Sequence, residues 1–331
     1  MLPDLGRGPY FDELSAGERF AGAPAITLTD GLAAAHQAIT GDRLALALDH
    51  DLCRAVTGGD PLAPAGLVWD VAIGQSTVVT QHVKANLYYR GLAFRRMPCI
   101  GDTLRTTTEV VALRENRARE GRAPTGLAAL RITTTDQDDR PVLDFWRCAM
   151  LPLRDGVSQT GHADDLDQVG RDVRTGDFSA AISGWQLAAL AARTDGPHPA
   201  DLRAGQSFQV AGGDVVSSAP ELARLTLNVA AVHHDIQAGG NGRLVYGGHA
   251  IGLALSQAVR AFPALATVLG WHGCDHLAPV REGDTLRSTI SVEQVDHLPG
   301  GGALVHLRSL VRADGQPARD VLDWRYVALL A

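Results

Sequence analysis

The chain repeats itself once, and this constrains its fold more than any other feature. Glu13-Leu14-Ser15-Ala16-Gly17-Glu18-Arg19-Phe20 returns as Asp201-Leu202-Arg203-Ala204-Gly205-Gln206-Ser207-Phe208. Gly101-Asp102-Thr103-Leu104-Arg105 returns as Gly283-Asp284-Thr285-Leu286-Arg287, and Val142-Leu143-Asp144-Phe145-Trp146-Arg147 as Val321-Leu322-Asp323-Trp324-Arg325. Three matches in one order point to a duplicated domain. Residues 154–175 are polar and carry no steady apolar period, the composition of a linker or surface loop. The expected division is an N-terminal copy, residues 1–153, a linker, 154–181, and a C-terminal copy, 182–331.

Each copy has the same coarse plan. Segments 67–79 (LVWDVAIGQSTVV) and 249–262 (HAIGLALSQAVRAF) are apolar almost all round, which predicts buried helices. Strands rich in Val, Thr, Leu and Trp follow at 103–111 and 126–135, then at 285–292, 303–312 and 321–330, punctuated by Gly-Asp and Asp-Gly steps. A buried helix followed by antiparallel strands able to wrap round it is an α+β plan.

The net charge of −7 gives no reason to expect nucleic-acid binding, and any polyanionic ligand has to be met by a local basic patch. Cys53, Cys99, Cys148 and Cys274 form no C-x-x-C pair, so neither a zinc site nor a disulfide framework is indicated. The N-terminus carries Asp4, Asp12 and Glu13 and no long apolar run, and apolar runs elsewhere are interrupted before they could span a bilayer. The expectation is a soluble cytoplasmic protein with no membrane contact and no metal or redox cofactor.

The chemistry concentrates in the second copy. Asn228-Val229-Ala230-Ala231-Val232-His233-His234-Asp235 is polar at both ends, and Arg243-Leu244-Val245-Tyr246-Gly247-Gly248-His249 runs straight into the buried helix. Two glycines at a helix start leave N–H groups unshielded, suited to an oxygen that becomes negative during reaction. On spacing alone, Gly247-Gly248 also fits a tight turn, Asp42 a helix cap, Arg43 and Arg243 surface ion pairs, and Arg95-Arg96 a solvated edge. His234 and His249 fit a structural role as well as a chemical one.

These segments resemble the MaoC-like family, also called hydratase 2 or R-specific enoyl-CoA hydratases. Its motif has the form S-G-D-x-N-P-x-H-x-D, followed by a glycine that opens the helix of a hot-dog fold. Asn228 falls at the motif Asp, His233 at the His, Asp235 at the later Asp and Gly247 at the helix-opening glycine. In the first copy Gly41-Asp42-Arg43-Leu44 keeps the G-D pair, but Ala47 stands at the His position. GDRLALALDHDLCRAVTGG, NLYYRG, LNVAAVHHD and RLVYGGHAIGLALSQA resemble the mesaconyl-CoA hydratase (β-methylmalyl-CoA dehydratase) branch in particular.

The resemblance implies a double hot-dog, two antiparallel sheets each wrapped round a central helix. The implied activity is a hydro-lyase acting on an α,β-unsaturated acyl-CoA, with CoA part of the substrate and no separate cofactor. His233 would exchange the proton, Asn228 orient water, and Gly247 hold the enolate-like oxygen, with Asp42 or Asp235 supplying negative charge. Tyr246 and Gly248 would flank the substrate. Arg43 or Arg243 would meet a free carboxylate, and Arg95-Arg96 the CoA phosphates. Asn at 228 and the missing N-P pair depart from the motif, since an amide cannot act as a base. They leave open a hot-dog thioesterase or a non-catalytic acyl-thioester binding protein. A monomer and a homodimer of tandem subunits both fit.

Overall fold

The computed structural model describes residues 6–118, 120–171, 178, 180–240 and 242–331. The first half holds α1 (Asp30–Thr40), α2 (Ala65–Gln75), β1 (Ala85–Phe94), β2 (Thr103–Glu115), β3 (Thr125–Thr135) and β4 (Pro141–Pro152). The second holds α3 (Ala219–Leu225), α4 (Gly247–Ala261), β5 (Leu265–His276), β6 (Thr285–His297), β7 (Ala303–Ala313) and β8 (Arg319–Leu330). The long strands are hydrogen-bonded in the order β2-β3-β4-β1-β5-β8-β7-β6, each pair antiparallel. The order is the same outward from the central β1–β5 pair on both sides. Each half therefore wraps its own stretch of one continuous sheet round its own helix, the double hot-dog arrangement.

Each repeated phrase does the same structural work twice. Gly17 and Gly205 sit at φ 86° and 88°, and their N–H groups donate to Val110 and Val292 at 2.8 Å each, starting the short edge strands Arg19–Phe20 and Ser207–Gln209. Gly101 and Gly283 sit at φ 99° and 89°, a backbone region that favours glycine. The next residues, Asp102 and Asp284, accept the N–H three positions back, from Cys99 and Arg281, at 2.8 Å each. Leu104 and Leu286 then accept from the amides of Gln75 and Gln257, which pin the ends of α2 and α4 to the sheet.

The third repeat aligns differently from its sequence match. Asp144 and Asp323 each pair across the strand with an arginine, Arg131 at 2.9 Å and Arg308 at 2.6 Å. From that anchor the strands run without a gap. Phe145 matches Trp324, Trp146 matches Arg325, and Arg147 matches Tyr326, not Arg325. Side chains alternate faces along a strand, so Arg325 points outward to Glu293 while Arg147 points in, 3% exposed.

Every residue of α2 is buried, as is α4 from Gly248 to Val259. Trp69 of α2 meets Trp271 of β5 and Trp324 of β8 with ring centroids 5.1 and 6.1 Å apart, joining the halves in an aromatic cluster. Full burial of a large apolar side chain contributes about 1.5–3 kcal/mol. Small residues set the contacts between each helix and the opposite half: a β-carbon at Gly74 would lie 1.7 Å from the Thr226 carbonyl oxygen, and one at Gly252 would lie 2.8 Å from Thr40 Cγ2.

The described part of the segment read as a linker is mostly exposed but is tied to the sheet at a few points. Leu113 and Glu115 of β2 donate to Asp164 and His162 at 2.8 Å each. Leu166, 2% exposed, covers Tyr88, Ala112, Leu127 and Cys148 on the outer face of the sheet. The rest of that expectation, residues 172–177 and 179, lies outside the described residues. No helix among the described residues is long and apolar enough to cross a membrane.

Candidate active site

A cavity of about 670 Å³ opens between the halves at the N-terminus of α4. Asn228, His233, Tyr246, Gly247 and His276 line it from the second half, and Ile73, Thr77, Tyr89 and Arg147 from the first. The polar loop reaches it through a turn. Leu227, at φ 60°, and its counterpart Gly41, at φ 68°, end the preceding helices in the left-handed region. Asn228 N–H then closes on Ala223 at 2.9 Å, and a single 3-10 turn, Ala231–His233, presents the imidazole. The first half anchors this loop: Val229 N–H donates to Thr77 Oγ1 and Ala231 N–H to the Gln81 carbonyl, both at 2.9 Å.

His233 Nδ1 lies 2.8 Å from the Leu244 carbonyl. A carbonyl only accepts, so Nδ1 carries the hydrogen and Nε2 the lone pair. Burial pulls the imidazole pKa down to about 4, keeping it neutral at physiological pH. Asn228 Oδ1 accepts from Ala230 N–H at 3.0 Å, whereas its buried Nδ2 has no partner. His276 Nε2 is likewise buried and unpartnered, and burial brings that ring to about 4 as well. Its edge covers the start of α4, since a β-carbon at Gly247 would be 2.5 Å from Nε2.

Tyr246 caps α4 and is tied down from behind. Its hydroxyl donates to Asp70 Oδ1 at 3.0 Å, and Asp70 Oδ2 lies 2.9 Å from His36 Nε2, with Asp70 and His36 fully buried. Desolvation raises the Asp70 carboxyl pKa above its usual range, opposed by the bonds from His36 and Tyr246. Gly248 is needed here, because its β-carbon would fall 2.0 Å from Asp70 Oδ1.

The charge of the cavity is one-sided. Its lining holds Lys84, Arg147 and Arg281 and, among the described residues, no aspartate or glutamate, in a chain of net charge −7. Lys84 is the only lysine in the sequence. Arg147 Nη2 donates to the Ser76 carbonyl at 3.2 Å and to Thr80 Oγ1 at 2.6 Å, and its buried Nε has no partner.

The first half keeps a smaller counterpart, a cavity of about 200 Å³ lined by Asp42, Ala47 and Pro64, the positions that match Asn228, His233 and Tyr246. Asp42 Oδ1 caps Leu44 N–H at 2.9 Å, and its other oxygen is buried without a partner.

Comparison with solved structures places this geometry. A conserved protein of Mycobacterium tuberculosis, described as essential for bacterial survival during infection and as having a double hot-dog fold, is 54% identical. The match covers 99% of this chain and 100% of that one, with a TM-score of 0.92. The chain belongs to the double hot-dog proteins. A MaoC-domain dehydratase of Chloroflexus aurantiacus shares the fold at TM-score 0.87 and 23% identity, over 99% of each chain. Among curated proteins, a β-methylmalyl-CoA dehydratase of C. aurantiacus is 26% identical over 100% of this chain and 99% of its own length. A mesaconyl-CoA hydratase of Cereibacter sphaeroides is 27% identical over 90% and 87%. No protein-family model matches.

In this double hot-dog chain the residues singled out from sequence separate into two groups. His233, Asn228, Tyr246 and Gly247 face the large cavity. Gly248 does not line it and instead makes room for Asp70. Asp42 belongs to the smaller cavity, and Asp235 is exposed with Oδ1 on Gln237 N–H at 2.8 Å. None of the four arginines proposed for anions lines the large cavity. Arg95 pairs with Asp144 at 3.6 Å, Arg96 with Asp102 and Asp136, Arg243 with Glu282 at 3.6 Å, and Arg43 is exposed. Arg96 is held because it neutralises the Asp102 turn, a task that Arg319 performs for Asp284 in the second half.

Tyr89, Arg147, His276 and the Asp70–His36 pair escaped the sequence reading. Asp70 had one visible signal, a lone acid inside an all-apolar helix. Arg147 had another, a lone charge on the period-2 apolar face Leu143, Phe145, Arg147, Ala149, Leu151.

Proposed function

We propose that this chain catalyses the reversible addition of water to the α,β-double bond of an acyl-CoA thioester, and that mesaconyl-CoA, hydrated to β-methylmalyl-CoA, is its substrate. The observation that carries the proposal is a neutral imidazole with its Nε2 lone pair free, beside an unpartnered Asn228 amide and the opening amide of α4. In hydration, His233 Nε2 takes a proton from water as the oxygen bonds to the β-carbon. The displaced electron pair moves onto the thioester oxygen, which Asn228 Nδ2 and the Gly247 N–H are suited to receive. The proton then passes from His233 to the α-carbon, the carbonyl re-forms, and the imidazole is regenerated. Dehydration is the same path reversed. Both curated relatives carry names for this chemistry.

A thioesterase that used a carboxylate base would need an acidic side chain in the cavity, and the lining has none among the described residues. The test follows the enoyl-thioester absorbance during incubation with mesaconyl-CoA, alongside free thiol. Reversible loss of the band without thiol release is expected, and His233→Ala, folded by circular dichroism, should be slower by about 10²–10⁴-fold. Thiol release, or an unimpaired His233→Ala, would refute the mechanism.

A further inference from the structure

Arg147 is the deepest cation of the cavity, and the proposed proton chemistry does not use it. It is 3% exposed and has no carboxylate within ion-pairing distance among the described residues. Its electrostatic neighbours include Tyr89 and Tyr246, whose own burial keeps them as neutral phenols. An isolated buried cation costs several kcal/mol, so an unpaired guanidinium at this depth calls for a counter-charge from outside the protein. The three cations of the cavity are graded by depth: Lys84 is exposed, Arg281 half-buried and Arg147 buried. A ligand that satisfies them is anionic at both ends. CoA phosphates account for the mouth and leave the inner cation unmatched.

We infer that Arg147 determines specificity within the proposed reaction by receiving the carboxylate that a dicarboxylic acyl group such as mesaconyl carries at the end remote from the thioester. The inference rests on the reading of this cavity as an acyl-CoA site. It gives the first half a direct part in the site, although its own motif has Ala47 in place of the histidine. The carboxylate has a second effect. The positive charge of Arg147 is one of the influences that lower the His233 pKa, so neutralising it makes His233 a stronger base when substrate is present.

The test uses saturated thioesters that cannot be hydrated. Succinyl-CoA, succinamyl-CoA and butyryl-CoA match in chain length and differ at the far end as carboxylate, amide and methyl. Isothermal titration of the wild-type protein should give succinyl-CoA at least about tenfold tighter binding than either neutral analogue, as expected for a hydrogen bond to a charged group. In Arg147→Met the three dissociation constants should converge. The ligand-free variant should melt no lower than wild type, because an unpaired buried charge has been removed. Equal binding of the three by the wild-type protein, or a preference that survives in Arg147→Met, would overturn the inference. The comparison within the wild-type protein decides the matter even if the variant does not fold. A preserved preference in a protein that hydrates nothing would instead count against the proposed reaction alone.

Discussion

Replacing Gly74 with alanine should destabilise this protein, opposite in sign to what helix propensity predicts. Gly74 lies inside α2, where alanine ordinarily improves a helix by about 0.5–1 kcal/mol. Its missing β-carbon is where the second half docks. The carbon would lie 1.7 Å from Thr226 O, 2.7 Å from Thr226 C and 3.2 Å from Asn228 N. These are backbone atoms that no rotamer change can move aside. Overpacking of a core costs about 1–3 kcal/mol, and occasionally more. The severity of this overlap puts the net loss at the upper end, about 2 kcal/mol after the propensity gain. At roughly 2–4 °C per kcal/mol for a chain of this size class, the melting temperature should fall by several degrees. Because the displaced backbone carries Asn228 and leads to His233, hydration should slow as well. Gly31→Ala is the matched control. That glycine is exposed in α1, and its nearest contact is Thr29 Oγ1 at 3.9 Å, so a small stabilisation is expected. Differential scanning calorimetry of the two variants decides the matter. If Gly74→Ala is as stable as Gly31→Ala, the docking account is wrong.

Two further outcomes follow from buried and exposed charge. His249 is fully buried with neither ring nitrogen partnered, and burial lowers its pKa from an ordinary 6.5 to about 4. The unfolded chain therefore takes up a proton that the folded chain refuses, and stability is lost as pH falls from about 6.5 towards 4. His249→Leu should lose about 1 kcal/mol less than wild type between pH 7.5 and 5.5 in urea unfolding, and parallel pH slopes would contradict this. Lys84, the only lysine, stands exposed at the cavity mouth, so an amine-selective reagent has one side-chain target. Saturating CoA should slow its modification, and 3′-dephospho-CoA should protect less. A rate unchanged by CoA would remove Lys84 from the phosphate-binding role.

Much of the architecture was legible because it is written in local patterns. Two of the duplicated phrases mark turns that need the same backbone twice, glycine at positive φ followed by a side chain that accepts the N–H three residues back, Glu18 and Gln206 in one and Asp102 and Asp284 in the other. Both central helices were visible because nearly every position in them is apolar. The helix ends and strand limits were displaced by a few residues: α4 begins at Gly247, not 249, and β2 extends to Glu115. Strands β1 and β5, which join the halves, carried no clear alternation, since pairing on both edges and burial on both faces leave little polar pattern to read.

The site divides along the same line. Asn228, His233, Tyr246 and Gly247 lie on one short stretch that turns into the α4 helix, so sequence spacing alone could bring them together. Tyr89, Arg147 and His276 arrive from β1, β4 and β5, and their position depends on strand register. A slip of one residue reverses the face of every side chain, which is how the sequence match between Arg147 and Arg325 concealed an inward-facing guanidinium. Sequence determined the fold class, the duplication and the loop that presents the imidazole, because these follow from local backbone preference and burial. Only the tertiary structure decided that the cavity is walled by both halves, contains no acid among the described residues and ends on an unpaired cation, because charge balance is a property of side chains that meet across the sheet.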